Sequence, residues 1–246
     1  MDNRVYGKKV DLDSSKIEEF YNERARTLSK RKSEYTTVLL GDQDPDYADR
    51  WDAFEKEFIT PKLNLRSSSK VLDLGCGIGR WADSISDSCE HYTGVDFSEE
   101  MVKVATDNHD ASKCSFYAMS VKDALMSEVI NKDKYDVVII TGVLMYMNDA
   151  DITACASELY NVLNDGGILY IEESVGKKER LTLDQIWSEA LQSSYNAIYR
   201  TRGEYQEMLS SVIGSCKVIE DGYMDALDKS DMSETGHWYT ILKKGE

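Results

Sequence analysis

The sequence predicts an α/β fold built on a doubly wound sheet of seven strands, the last of which runs antiparallel to the others. Two observations predict it. Between residues 70 and 172, short apolar segments alternate with amphipathic helical segments, which is the pattern of a parallel sheet covered by helices. Near the end, two apolar segments follow one another without a helix between them, so we expect this pair to be antiparallel. Residues 1–66 are more polar and predict an N-terminal helical cap on a domain that spans residues 67–246.

The cap is predicted to contain two helices separated by a turn. The first begins after two candidate capping residues, Ser14 and Ser15. Its apolar side chains recur at helical spacing: Ile17, Phe20, Tyr21 and Ala25. Residues 41–46 are rich in turn-forming side chains and separate the two helices. The second helix also has its apolar residues at helical spacing: Trp51, Phe54, Phe58 and Ile59.

The strands of the domain are short and bounded by turn-forming residues. We expect them at 70–74, 91–96, 115–119, 135–140, 167–172, 216–220 and 237–242. Helices are predicted through 81–86, 99–108 and 152–163. Residues 175–210 are an insertion between the fifth strand and the final pair, and part of it has apolar side chains at helical spacing: Ile186, Trp187, Ala190 and Leu191.

Composition restricts the class of partner. The chain has 29 basic and 45 acidic residues, a net charge of −16, and should therefore repel nucleic-acid backbones. The negative charge has two possible explanations: it keeps the protein soluble, or it attracts a cationic substrate such as an amine. No apolar segment approaches the ~18 residues of a membrane helix, and the first residues lead into no apolar secretory segment. We therefore expect a cytoplasmic protein that binds neither membranes nor nucleic acid.

Cysteine and histidine give no sign of a disulfide framework or a metal site. The five cysteines are widely spaced without a C-x-x-C pair, and the three histidines are scattered. We expect reduced thiols and no bound metal. The oligomeric state is left open by the sequence, with a homodimer among the options.

A glycine-rich turn follows the first strand of the domain, where residues 73–80 read Asp-Leu-Gly-Cys-Gly-Ile-Gly-Arg. Glycines at such a turn let the backbone approach a ligand closely, and the amides of the next helix face it. Asp96 ends the following strand, where an acidic side chain can accept hydrogen bonds from both ribose hydroxyls of an adenosine. Arg80 occupies the position of the third glycine in the dinucleotide fingerprint. The ligand is therefore predicted to be a mononucleoside without a pyrophosphate.

These motifs resemble the class I S-adenosylmethionine-dependent methyltransferases, whose sheet is Rossmann-like. The resemblance covers about residues 16–245 and depends on the segments 71–79, 94–98, 135–138 and 163–169. It implies an enzyme that uses S-adenosyl-L-methionine and releases S-adenosyl-L-homocysteine. Residues 20–25 resemble the helix that closes over the cofactor in small-molecule members. Residues 195–205 resemble the substrate-side segment of such members, including sugar and natural-product enzymes.

The resemblance assigns part of the chain to the methionine and ribose moieties of the cofactor. Gly75, Cys76 and Gly77 would lie under the methionine part, although Cys76 itself is expected to be a small filler. Asp96 would hold the ribose. The backbone carbonyls of Thr141 and Gly142, after the fourth strand, would meet the ammonium group.

The remaining cofactor contacts come from three other segments. Phe97 and Met101 would flank the adenine. Ser120 and Val121 stand where the family often has an aspartate that binds the adenine amino group, so a hydroxyl or an amide would replace it. The cofactor carboxylate would be met by two residues of the first helix, Tyr21 and Arg24.

The acceptor site should lie beyond the carboxyl ends of the parallel strands. The catalytic candidates that the predicted strands bring there are His237, Glu172, Glu173 and Tyr146. A hydroxyl acceptor needs a general base, for which His237 is the first candidate because the ordinary pKa of histidine, ~6.5, suits proton transfer near neutrality. A neutral amine needs no base. The candidates for acceptor binding are Tyr199, Arg200, Arg202 and Tyr205, and the arginines could hold an anionic group.

Three functions are compatible with these residues. The first is methyl transfer to a hydroxyl or amine of a small molecule. The second is methylation of a protein N-terminus or side chain, because the pattern at residues 77–80 also occurs in such enzymes. The third is a catalytically silent protein that binds S-adenosylmethionine and serves an interaction. In the first case residues 1–66 and 175–210 are expected to form a lid.

Overall fold

The computed structural model describes residues 3–224 and 234–245. The strands, in chain order, are β1 (Arg4–Tyr6), β2 (Lys70–Leu74), β3 (His91–Asp96), β4 (Cys114–Ala118), β5 (Tyr135–Thr141), β6 (Leu163–Gly176), β7 (Leu181–Ser188), β8 (Ser193–Tyr199), β9 (Cys216–Tyr223) and β10 (Thr235–Lys244). The helices are α1 (Ser14–Arg26), α2 (Thr36–Leu39), α3 (Pro45–Ile59), α4 (Ala82–Ile85), α5 (Glu99–Asn108), α6 (Val121–Met126), α7 (Glu128–Asn131), α8 (Asp149–Val162), α9 (Arg202–Met208) and α10 (Ser210–Ser215).

Seven strands form the central sheet in the order β4-β3-β2-β5-β6-β10-β9. The five strands from β4 to β6 are parallel, and β10 is antiparallel to both of its neighbours. The predicted α/β class, the seven strands and the antiparallel final strand are confirmed. Strands β3 and β4 lie on one side of β2, and β5 and β6 lie on the other. A crevice therefore opens at the carboxyl ends of β2 and β5, where the winding changes direction.

The two faces of this sheet bury different side chains because successive residues of a strand point to opposite sides. Leu72 and Val138 pack on one face against α6, α8 and α10, whereas Val71 and Val137 pack on the other face with Trp51 and Trp81. Because both faces of the sheet are buried, the sequences of β2 and β5 are nearly continuous apolar segments. This rigid frame fixes the ends of the strands and the loops that follow them.

The predicted helical cap contains a strand as well. β1 pairs antiparallel with β7, which lies in the distant insertion. The capping residue of α1 is Asp13, not Ser14 or Ser15: its carboxylate accepts a hydrogen bond from the Ser15 amide at 3.1 Å. Aspartate is at least as good an N-cap as serine, and the helix starts at Ser14, two residues earlier than predicted.

The helical interpretation of the insertion is wrong. Residues 175–210 continue β6 to Gly176, form the antiparallel hairpin of β7 and β8, and only then enter α9. Ile186 pairs with Tyr195 across the hairpin, and an irregularity between Leu183 and Ile186 shifts the register. This shift breaks the strict alternation of a strand and produced a spacing that resembled a helix. Ala190 and Leu191 lie in the connecting turn.

Smaller differences concern element lengths. The helix predicted through 81–86 is the single turn α4, β4 begins one residue earlier than expected, and β6 and β10 are longer than expected. Among the described residues, no helix combines the length and apolar composition that a bilayer-spanning segment requires.

Candidate cofactor and acceptor site

A cavity of about 450 Å³ lies at the carboxyl ends of the parallel strands. Four neighbouring strands each contribute to one side of it: Asp96 from β3, Asp73 from β2, Thr141 from β5 and Glu172 from β6. The cap closes the opposite side with Tyr21 and with Val38 and Leu39 of α2. The cavity is therefore a channel that crosses the ends of four strands and is covered by the N-terminal residues.

The glycine-rich turn brings backbone to the floor of this cavity. Gly75 and Gly77 adopt φ angles of 87° and 53°, which favour glycine. A Cβ atom at Gly75 would clash with Val143, and one at Gly77 would lie 2.5 Å from Val38 Cγ1. Cys76, between them, lines the cavity but is buried, and burial raises the pKa of its thiol well above the ordinary value. The raised pKa keeps the thiol protonated, and its role as a small filler remains a prediction.

Asp96 is fixed at the turn by two backbone amides. Its Oδ2 accepts from Gly77 N at 3.0 Å, and its Oδ1 accepts from Ser98 N at 2.9 Å. Burial raises the pKa of Asp96 to about 6, against the lowering effect of these two hydrogen bonds. Each carboxylate oxygen has a second lone pair for a ligand hydroxyl. Asp96 also lines the cavity.

Beside Asp96, the predicted adenine residues line the same part of the cavity. They are Phe97, Met101, Ser120 and Val121. The Ser120 hydroxyl caps α6, because it accepts from the Asp123 amide at 3.1 Å and donates to that residue's carboxylate at 2.7 Å. The hydroxyl is thus already engaged. The amide of Val121, at the first turn of α6, is the simpler hydrogen-bond donor for a ligand.

Asp73 is a site residue that the sequence analysis placed in the motif without giving it a role. Its Oδ2 accepts from the Tyr92 hydroxyl, while its Oδ1 is buried without a hydrogen-bond partner among the described residues. Burial raises the pKa of Asp73 to about 7, although the Tyr92 hydrogen bond lowers it. Thr141 and Gly142 line the adjacent wall. An unpaired buried carboxylate oxygen is a strong acceptor for an incoming cation.

Arg24 does not reach the cavity, which corrects its predicted role at the cofactor carboxylate. Its Nε donates to Thr37 O at 2.9 Å, and one Nη donates to Thr36 O and to Asp42 at 2.9 Å. These bonds fasten α1 to α2. The guanidinium that lines the cavity near the glycine turn is Arg80, whose Nη2 lies 3.4 Å from Thr141 Oγ1. Its position directly after the turn is the signal that could have identified it.

Tyr21 and Tyr146 meet where the cap covers the cavity. Their rings lie 5.3 Å apart in an edge-to-face arrangement, and both line the cavity. The Tyr146 hydroxyl lies 2.8 Å from that of Tyr195 in the hairpin. Burial raises the pKa of both Tyr146 and Tyr195, so the pair stays protonated. These three tyrosines therefore connect helix α1 of the cap, the loop after β5 and the β7–β8 hairpin.

Glu172 and His237 form a pair at the other end of the cavity. Glu172 Oε1 lies 2.9 Å from His237 Nδ1, and Trp51 covers the imidazole with its ring 4.1 Å away. Glu172 lines the cavity, whereas His237 lies behind it, next to the cap helix α3. Of the predicted catalytic residues, Glu172 and Tyr146 therefore reach the cavity directly.

Glu173 belongs to the scaffold and not to the catalytic group with which it was predicted. Its carboxylate accepts from the amides of Val143, Leu144 and Met145 at 2.8, 2.6 and 3.1 Å. Burial and the neighbouring Glu172 raise the pKa of Glu173 to about 8, against those amide donors. The side chain thus holds the loop after β5 and has no access to an acceptor.

The residues predicted to bind the acceptor lie outside the cavity. Arg200 is 0% exposed, and its donors are used by Asp149, Leu144 O and Met147 O. Tyr205 is buried and stacks on Trp238, and Arg202 pairs with Asp221 at 2.6 Å. Tyr199 packs in the apolar cluster of the hairpin. The arginines were misassigned because an aromatic–arginine segment has the same composition whether it binds a ligand or anchors a loop.

The comparisons with known proteins agree with this architecture. The profile of a family described as methyltransferase domain matches residues 71–167. Phosphoethanolamine N-methyltransferase of Triticum aestivum is 27% identical over 124 residues, which are 50% of this chain and 24% of that protein. Malonyl-acyl-carrier-protein O-methyltransferase of Bacillus anthracis is 28% identical over 110 residues, which are 44% of this chain and 38% of that protein. The matches thus span well under half of these relatives' length.

Two solved structures share the fold over nearly the whole chain. Magnesium protoporphyrin IX methyltransferase of Synechocystis, with bound S-adenosylmethionine, superposes with a TM-score of 0.63 at 16% identity and covers 97% of this chain and 100% of its own. The cyclase SpnF superposes with a TM-score of 0.65 at 14% identity and covers 97% and 99%. At such identities the likeness concerns the fold alone. The profile match shows a methyltransferase domain over residues 71–167, the part of the chain that carries the glycine turn and Asp96.

Proposed function

We propose that this chain transfers the methyl group of S-adenosylmethionine to a hydroxyl or amine of a small molecule. The observation that carries the proposal is the continuity of the cavity, which runs from Asp96 past the glycine turn to Glu172. Such a cavity accommodates a nucleoside at one end and an acceptor at the other. Its walls include cap residues, which favours an enclosed small acceptor over a protein segment.

The residues present fit the cofactor. Asp96 would accept the ribose hydroxyls, and Phe97 and Met101 would flank the adenine. Asp73 offers its unpaired Oδ1 to the ammonium group, and Gly75 and Gly77 would lie under the methionine part. The bound cofactor would supply a methyl group on a positively charged sulfur. The chain then has to orient the acceptor in line with it and exclude water.

Residues 1–66 and 175–210 are proposed to act as the lid. Tyr21 in α1 and Val38 in α2 cover the glycine turn, and the Tyr146–Tyr195 contact ties the hairpin to the same place. Lids are drawn from the less stable parts of a fold. Hydrogen exchange with and without S-adenosylhomocysteine should show protection gained around Tyr21. Protection confined to the region of Gly75 would show that α1 is part of the permanent structure.

The net charge of −16 supports a partner other than nucleic acid, and we expect the protein to act in the cytoplasm on a diffusible substrate.

One experiment separates this function from its alternatives. The full chain is incubated with S-adenosylmethionine labelled in the methyl group and with a cell extract divided by size into small molecules and proteins. Label in the small-molecule fraction supports the proposal. Label in the protein fraction supports a protein methyltransferase. Calorimetric binding of S-adenosylhomocysteine without transfer to either fraction supports a silent binding protein, and absence of binding would overturn the cofactor assignment.

A further inference from the structure

We propose that the acceptor is an amine and that Glu172 is the catalytic residue that binds its N–H, with His237 as the positioning residue behind it. This inference depends on the proposed function and specifies its acceptor class. The strands lie side by side as β3, β2, β5 and β6, and they contribute Asp96, Asp73, Thr141 and Glu172 in that order.

This order places Glu172 at the end where the methyl group is transferred. With the ribose at Asp96 and the methionine ammonium at Asp73, the cofactor occupies the ends of β3 and β2 and reaches β5. The next group along the same edge is the carboxylate at the end of β6. Glu172 pairs with Thr141 across the β5–β6 ladder, so it is the direct neighbour of the residue at which the cofactor ends.

The Glu172 side chain is held rigidly but has one oxygen to offer. It is 5% exposed, and its Oε1 is fixed by His237 Nδ1 at 2.9 Å. The imidazole is in turn packed under Trp51. The described residues contain no hydrogen-bond partner for Oε2, and the residue lines the cavity. A buried carboxylate with one fixed and one unpaired oxygen is a preorganised acceptor for a donor on the substrate.

The charges around the cavity favour a cationic or neutral donor over an anionic acceptor. Arg80, at this end, is already paired with Asp52 at 2.8 Å and Glu55 at 2.7 Å. Lys122, at the adenine end, is paired with Asp151 at 2.7 Å. A carboxylate acceptor would therefore approach Glu172 with no unpaired lysine or arginine among the described residues that line the cavity.

Aromatic side chains in the cavity wall suit a nitrogen that becomes positively charged during transfer. Tyr21, Tyr146 and Trp81 line the cavity, and aromatic faces attract cations. An amine also presents several N–H donors, of which one can bind Oε2 while the nitrogen lone pair points at the methyl group. The net charge of −16 steers cationic molecules toward the protein.

The reaction balances with these groups alone. The lone pair of the neutral amine forms the new N–C bond as the S–CH₃ bond breaks, and the electrons of that bond remain on sulfur in S-adenosylhomocysteine. The nitrogen becomes positively charged. Glu172 stabilises this charge through the N–H···Oε2 hydrogen bond and can take the excess proton, which otherwise leaves with the methylated ammonium product.

The test uses sinefungin, an analogue of the cofactor in which a carbon bearing a primary amine replaces the methylated sulfur. This probe brings an amine to the transfer point without requiring the natural acceptor. Wild-type protein should bind sinefungin about tenfold or more tightly than S-adenosylhomocysteine in calorimetric titrations, because a charge-assisted hydrogen bond is gained. In Glu172→Gln the preference should disappear while the affinity for S-adenosylhomocysteine stays within about twofold of wild type.

Two further variants complete the experiment. His237→Gln should lower the preference for sinefungin partly, because Glu172 loses the group that orients it, and should keep the affinity for S-adenosylhomocysteine. Asp133→Asn, at the opposite edge of the sheet, is the matched control for the loss of one negative charge and should leave the preference unchanged. If Glu172→Gln does not fold, Glu172→Asp withdraws the carboxylate by one methylene and should lower the preference in its place.

The outcomes that would overturn the proposal are distinct from failure of the proposed function. A preference for sinefungin that survives in Glu172→Gln would show that another group meets the acceptor. An equal loss of affinity for both ligands would place Glu172 at the methionine ammonium instead. An unchanged preference in His237→Gln would remove the positioning role. Absence of binding of either ligand to wild-type protein would instead reject the cofactor assignment itself.

Discussion

Arg80 Nη1 lies 2.7 Å from Glu55 Oε2, so the residue that follows the glycine turn is ion-paired with a helix of the cap. Both side chains are buried, and Glu55 also accepts from the Tyr170 hydroxyl at 2.8 Å. A buried ion pair is costly to break by removing one partner, because the other charge is left unpaired. Within the proposed lid, the helix α3 is therefore held to the sheet frame by this pair, and we expect α1 and α2 to move more than α3 when the lid opens.

Replacement of Asp96 by Ala should weaken the binding of S-adenosylhomocysteine by about tenfold or more. The variant loses a carboxylate that would accept two ribose hydroxyls, at a cost of ~1.5–3 kcal/mol. It also frees the Gly77 amide, which Asp96 holds at 3.0 Å. Isothermal calorimetry measures the effect, with the exposed-site variant Asp165→Asn as control. Unchanged affinity in a folded Asp96→Ala protein would reject the ribose assignment.

Cofactor binding should release a proton from Asp73. The pKa of Asp73 is raised to about 7 by burial, so the free protein is partly protonated at this residue near neutrality. A bound ammonium group favours the charged carboxylate and lowers the pKa, and affinity should therefore rise as the pH increases from about 6 to about 8. The contribution of Asp96, whose pKa is about 6, falls at the lower end of this range.

Calorimetry in two buffers of different ionisation enthalpy measures the released proton directly. The buffer dependence near pH ~7 should be lost in Asp73→Asn, in which the titrating group is replaced by a neutral amide. A buffer dependence that is the same in both proteins would assign the proton to another residue.

The close approach of Val38 to the glycine turn can be tested by a double-mutant cycle. Gly77→Ala places a Cβ atom 2.5 Å from Val38 Cγ1 and forces alanine to adopt a φ of 53°, so cofactor affinity and stability should both fall. Val38→Ala should restore part of the loss, because only the steric component is relieved. Strict additivity of the two substitutions would show that α2 does not cover the turn in solution.

Arg200 and Arg202 should differ sharply in their contribution to stability. Arg200→Met leaves the carbonyls of Leu144 and Met147 without the donors of Arg200, whereas Asp149 keeps its pair with Arg180, and we expect the free energy of unfolding to fall by about 2–4 kcal/mol. Arg202 is 40% exposed in its side chain, and Arg202→Met should cost less than about 1 kcal/mol. Urea unfolding measures both. Similar values would contradict the structural role of Arg200.

The contrast between Asp96 and Arg24 shows how much of the site the sequence could predict. The positions of Asp96 and the glycine turn are determined by the backbone. An acidic side chain at the end of a strand, beside a turn with left-handed φ angles, is directed to the carboxyl end of the sheet. Arg24 is long and lies on a helix whose docking depends on tertiary contacts, so its partners, Thr37 and Asp42, could not be read from spacing. The parallel strands were predictable for the same reason as Asp96, since their apolar runs are local signals.

The hairpin of β7 and β8 illustrates the opposite case. Its partner strand, β1, lies near the beginning of the chain, and neither segment forms a sheet alone. Local periodicity therefore favoured a helix around Ile186, and only the pairing of distant segments makes the strand stable. Glu173 was misassigned in a similar way, because its three amide partners belong to a different loop.

The position of β10 between β6 and β9 imposes an order on assembly. Until β10 is synthesised and inserted, β9 has no neighbour in the central sheet, and the backbone groups on one side of β6 stay unpaired. A nascent chain that has emerged only as far as β9 thus exposes β6 as an edge strand with unpaired backbone N–H and C=O groups. Such edges pair with other chains and promote aggregation. Since β10 also carries His237, the site and the sheet are completed in the same step, and an incompletely synthesised chain cannot hold Glu172 in place.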